Sequence, residues 1–192
     1  MLKHAGDAVT PPCAVFGVCG GCQLQEMPLA HQRQEKHLLV QRLVEVEEAV
    51  LVHPPRGAPA AFGYRNKVEL SWGSAQYVPE SALAETKAGE GFEGSFLGFH
   101  PPGWYSRIVP LSSCHLATPA MNAVIAAVSG LGLAPAWNTR SHTGRWRHLV
   151  VRNGGTERDP AVLVTLVTSS DTPEEEARRV GDTVAAIAGV QA

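Results

Sequence analysis

Apolar residues first become periodic between Glu26 and Val50, where Leu39, Leu43, Val46 and Val50 recur at three- and four-residue steps. That spacing predicts a helix, with Pro28 suited to its first turn. The stretch "HPPRGAP" (His53 to Pro59) breaks the pattern and reads as loop. From Tyr64 to Trp72 the period becomes two, predicting a strand with Arg65 and Lys67 on one face and Val68 and Leu70 on the other. The polar, Gly/Ala-rich segment from Gly73 to Gly94 reads as a long turn with a mobile tip. "SFLGFH" and "YSRIVPL" predict two further strands around a turn at Pro101 to Gly103.

A second helix is expected from Thr118 to about Gly130, with Pro119 in its first position. "RWRHLVVR" and "AVLVTLVTS", joined by "NGGTERDP", read as a hairpin of buried strands. The last helix, Thr172 to about Ile187, opens on Thr172-Pro173-Glu174-Glu175, which reads as a capping box. Strand, strand, strand, helix, strand, strand, helix predicts an α+β fold, mainly an antiparallel sheet with helices packed on one side. No strand follows the final helix, so the layer is expected to be unfinished, with an unpaired edge at Ala161 to Ser169 or its neighbour.

Composition changes this picture little. The 192 residues are 44% hydrophobic and 18% charged, with a net charge of −2, so no global basic field announces a nucleic-acid partner. No apolar run approaches the roughly 20 residues needed to span a bilayer, and the N-terminus lacks the apolar core of a secretory signal, which suggests a cytoplasmic protein without a membrane partner. In that setting thiols stay reduced, and clustered cysteines point to metal rather than disulfides.

Three of the four cysteines do cluster, as Cys13-x5-Cys19-x2-Cys22, with Cys114 far downstream. Gly17, Gly20 and Gly21 among them let the backbone wrap closely and aim amides at sulfur. Structural zinc usually pairs one C-x2-C with another or with histidines, whereas iron–sulfur clusters accept three near ligands and one remote. The spacing favours iron–sulfur and leaves zinc open. His115, beside Cys114, is a conceivable substitute ligand, and His100, beside a turn, reads as structural.

"CAVFGVCGGCQLQ", "HQRQEKHLL", "GYRNKVELSWG", "LGFHPPGWYSRIVPLSSCHL" and "RWRHLVVRNG" follow one another in an order that resembles the RNA (uracil-5-)-methyltransferase family. The resemblance runs from about Pro12 to Ser169 and matches the central domain of those S-adenosylmethionine-dependent enzymes. It implies a [4Fe-4S] cluster on Cys13, Cys19, Cys22 and Cys114. It also implies a catalytic Rossmann-like domain that carries S-adenosylmethionine and a nucleophilic cysteine after an Asp-Pro-Pro-Arg-type segment. Neither that segment nor a Gly-rich strand-to-helix loop occurs here, and the four cysteines are already assigned. A truncated portion, or one completed by a separate methyltransferase domain, is therefore expected. Its organisation would be a leader (1–12), an iron–sulfur, RNA-contacting domain (13–170) and a terminal helix (171–192).

RNA contact has local support. Five arginines (Arg140, Arg145, Arg147, Arg152, Arg158) face one acid, Glu157, and Trp137 and Trp146 are interleaved with them. The candidate contacts are Arg65, Lys67, Arg147 and Arg152, with structured RNA, rRNA ahead of tRNA, as partner. A solvated strand face with core tryptophans is the plain alternative. At the level of function, the alternative is a stand-alone RNA-binding or scaffold module with a structural iron–sulfur or zinc site.

Overall fold

The computed structural model of the chain describes residues 8–44, 52–79, 93–156, 158–187 and 189–190. Its strands are β1 (Lys67–Ala75), β2 (Glu93–Phe99), β3 (Val109–Pro110), β4 (Trp146–Asn153) and β5 (Val162–Thr168). They pair antiparallel throughout, in the order β3-β2-β1-β4-β5. Among the described residues, three helices accompany them: α1 (Leu29–Leu43), α2 (Pro119–Gly130) and α3 (Glu174–Ala185). None is long and apolar enough to cross a membrane.

Alternation along β1 explains where the core lies. Val68, Leu70 and Trp72 are buried, and register sets Val68 opposite Val151 and Leu70 opposite Leu149 on β4. Met121, Val124, Ile125 and Val128 of α2 cover that face, and Val180 and Val184 of α3 close it. Burying each such side chain is worth about 1.5–3 kcal/mol relative to leaving it exposed. Arg145, just before β4, pairs with Glu176 of α3 and ties the helix to the sheet.

α2 begins as its sequence predicts: Thr118 accepts a hydrogen bond from the Met121 amide at 3.4 Å, and Pro119 takes the first position. The β4–β5 hairpin forms, but β5 is not the buried strand expected: it lies at the sheet edge, with Val162 buried and Leu163 56% exposed. At β5's start the Val162 amide donates to the Gly189 carbonyl at 2.7 Å.

Elsewhere tertiary contacts override the local pattern. α1 spans Leu29–Leu43 with Pro28 as its cap, and it buries no side chain. Leu39 and Leu43 are 54% and 74% exposed, while Val46 and Val50 lie outside the described residues. Its periodicity is therefore not that of a core face, and of the described helices α2 and α3 line the buried side of the sheet. β1 starts at Lys67 because the Arg65 amide donates to the Leu116 carbonyl at 2.9 Å, drawing Tyr64–Asn66 off the strand.

The expected long turn is shorter. β1 continues to Ala75, β2 opens at Glu93, and the tip (80–92) lies outside the described residues. "YSRIVPL" contributes only Val109–Pro110 to the ladder, since Pro110 has no amide to extend it. The capping box does not form: Pro173 occupies the cap position of α3 without a side-chain bond, and Thr172 Oγ1 sits 3.5 Å from Ser169 Oγ. Trp146 is fully buried and packs at 5.7 Å from Trp72, so it is core rather than a platform for bases.

Candidate functional site

The segment from Cys13 to Cys22 is a run of tight turns. Phe16 N–H donates to the Cys13 carbonyl (3.1 Å), Cys19 N–H to Val15 (2.8 Å), and Cys13 N–H to Gln25 Oε1 (3.3 Å). Gly17 adopts a φ of 82°, a conformation open to glycine at little cost. Gly20 donates to the His100 carbonyl at 3.2 Å, and a Cβ on it would stand 2.9 Å from that same oxygen. This close approach pins the loop to the turn after β2. His100 completes the seam, with Nδ1 2.9 Å from the Arg107 carbonyl.

Cys114 arrives from the other side, on the link between β3 and α2. Asn122 holds it there: Cys114 N–H donates to Oδ1 at 2.8 Å, and Nδ2 donates to the Cys114 carbonyl at 3.1 Å and the Ala117 carbonyl at 3.3 Å. Sequence reasoning missed Asn122. Its one visible trace is a lone amide in the otherwise apolar helix "PAMNAVIAAV".

All four cysteines are reduced and half-buried, and they line one cavity with Val15, Phe16, Phe99, Leu111 and Leu116. Burial pushes the Cys19 thiol above its ordinary value, against the Gly21 amide that donates to its Sγ at 3.3 Å. The other three thiols push it further up, so the four share one electrostatic neighbourhood. Among the described residues, no three His, Cys, Asp or Glu side chains converge as a ready site for a metal ion. The donor chemistry nonetheless fits a soft metal: four sulfurs in an apolar pocket, with an amide directed at one of them.

The four candidate RNA contacts divide into three places. Arg65 Nη2 donates to the Gly21 carbonyl at 3.3 Å, which makes it a brace of the cysteine loop. Lys67 and Arg152 face each other in register across β1 and β4, beside Asn66, Asn153 and Leu163. Lys67 pairs with Glu69 at 2.8 Å, and this bond holds the Glu69 carboxyl below its usual range. Arg147 lies 4.5 Å over the Trp137 ring, whose other close ring neighbour is His142 at 6.1 Å. Trp137 is thus already engaged by a guanidinium.

No protein-family model matches the chain. A protein named an uncharacterized RNA methyltransferase from Chlorobaculum tepidum is 34% identical over 176 residues, covering 88% of this chain and 36% of that protein. Another of that name, from Nitratidesulfovibrio vulgaris, is 30% identical over 187 residues, covering 94% and 35%. Among solved structures, the Pyrococcus abyssi tRNA (uracil-54, C5)-methyltransferase in complex with S-adenosyl-L-homocysteine aligns with a TM-score of 0.50 and 21% identity. That alignment covers 83% of this chain and 34% of the archaeal one, and it speaks to the fold. Spanning about a third of the length of the relatives it matches, the chain belongs to the RNA methyltransferase family.

Proposed function

We propose that this chain is the iron–sulfur, RNA-contacting portion of an S-adenosylmethionine-dependent RNA uracil-5-methyltransferase. The observation that carries the reading is the meeting of Cys13, Cys19, Cys22 and the remote Cys114 at one apolar cavity, in a chain whose relatives are named RNA methyltransferases. A four-iron cluster takes one thiolate at each iron, so the sulfurs need to surround a core rather than converge on a point. With all four cysteines serving as ligands at iron, the cluster's role is structural or redox, not substrate activation at an open iron. None is then left to add to uracil C6, so methyl transfer belongs to a separate domain. Residues 13–170 do the binding, with Lys67, Arg152 and Arg147 as phosphate contacts and Arg65 bracing the loop.

Anaerobic purification followed by iron and sulfide analysis tests the reading. The expected result is roughly four irons per chain with visible charge-transfer absorption, lost in Cys114→Ser. Stoichiometric zinc without iron would favour a plain structural metal. Tight binding of S-adenosylmethionine by this chain alone would overturn the division between domains.

A further inference from the structure

A groove of about 900 Å³ runs beside the cysteine loop, between the N-terminal part of α1 and the segment leading to β1. Gly21 and Cys22 line both it and the cysteine cavity. Its cations are Arg33, Lys36 and Arg56, and among the described residues no carboxylate lines it. The ion pairs among the described residues are Lys67–Glu69, Arg145–Glu176 and Arg178–Glu174, so none of the three groove cations is paired with a described carboxylate. Phe62 and Tyr64 complete the wall, with Tyr64 55% exposed.

One of the cations is held in place. The Arg33 guanidinium lies over Gly57, where a Cβ would fall 2.1 Å from Nη2, and Nη2 reaches the Ala58 carbonyl at 3.5 Å. A seated guanidinium loses less side-chain freedom on binding than a free one. Neither an acidic peptide nor a duplex explains the aromatic wall as well as an unpaired strand does. Phosphates would meet the three cations, and an unstacked base would find the Tyr64 ring.

We infer that this groove is a second RNA site, which takes a single-stranded segment of the substrate RNA beside the cysteine loop. The inference rests on the RNA reading above, but on residues separate from Lys67, Arg147 and Arg152. The strand is recognised by charge and stacking, so preference among bases is weak.

Fluorescence anisotropy with a labelled oligouridylate of about a dozen nucleotides tests it, over a range of salt concentrations. Tyr64→Ala is expected to weaken binding about tenfold, and Tyr64→Phe to restore it. Combining Arg33→Gln, Lys36→Gln and Arg56→Gln should lower the slope of log affinity against log salt by about 2, at about 0.7 per phosphate contact. Gly57→Ala, which displaces Arg33 without changing charge, should weaken binding too. If these variants bind like the parent chain while Lys67→Gln/Arg152→Gln does not, the groove is overturned and the RNA reading stands. If the parent chain binds neither the oligouridylate nor a hairpin RNA, both fall.

Discussion

Asn122 grips the backbone of Cys114 on both sides of its Cα, accepting from its amide at 2.8 Å and donating to its carbonyl at 3.1 Å. The remote cysteine thus depends on an amide of α2, which the core holds through Met121, Val124 and Ile125. Asn122→Ala leaves the Cys114 amide and carbonyl without these partners, at a cost of about 1–3 kcal/mol each if they stay buried. On the proposed iron–sulfur reading, the expected outcome is a lower urea midpoint together with a loss of at least half the iron that the parent chain retains. Asn122→Asp keeps the acceptor but loses the donor, and should fall between. Full iron content in Asn122→Ala would show that Cys114 needs no such anchor.

Arg65 and Lys67 stand two residues apart yet act in different places, so their substitutions should separate two properties. Arg65→Gln removes the bond to the Gly21 carbonyl and should reduce metal retention under mild chelation. Lys67→Gln combined with Arg152→Gln should leave metal untouched and weaken hairpin RNA binding with a shallower salt dependence. The Lys67–Glu69 pair is exposed and worth about 0–1 kcal/mol, so Lys67 can leave it for a phosphate at little cost. Equal effects of both changes on metal would refute the separation.

How much of this was legible in sequence depended on whether the cause was local. α2 could be bounded because Thr118 and Pro119 carry their own start signal, and the β4–β5 hairpin because its two apolar runs flank a Gly-containing turn, although the burial expected of β5 was not met. The meeting of Cys114 with the N-terminal cluster could be anticipated from spacing and glycines. Arg65's departure from β1 could not, because it is caused by Leu116, distant in the chain. Nor could α1's exposure: periodicity describes a face but not whether anything covers it. The groove cations come from separate segments, so no single motif announced them.

Thr118 and Thr172 both precede prolines at helix starts, yet only Thr118 caps its helix. Thr118→Ala should therefore cost about 1 kcal/mol, as an N-cap does. Thr172→Ala should cost no more than a few tenths by the same measure, since its hydroxyl only touches Ser169. Equilibrium urea unfolding of the two variants decides this. Similar losses would mean that the Thr172 box forms in solution after all.

His148 supplies a pH dependence with a definite sign. It sits on the sheet face opposite the core, across from Ser71, whose Oγ is 3.2 Å from Nδ1. Burial lowers its pKa below the ordinary 6.5; Arg147 and His100 lower it further, while Glu69 opposes them. Above pH 6.5 the imidazole is neutral in folded and unfolded chains alike, so its contribution to stability is complete. As pH falls through 6.5 toward the folded value, the unfolded chain takes the proton first, and stability is lost. His148→Gln has no such proton to take up and should show a flatter decline in urea midpoint between about pH 7.5 and 5.5. Glu69→Gln removes the one neighbouring charge that resists the shift, and should steepen the decline. Parallel curves for the parent and His148→Gln would mean that the ring titrates alike in both states, and that its burial exerts no electrostatic effect.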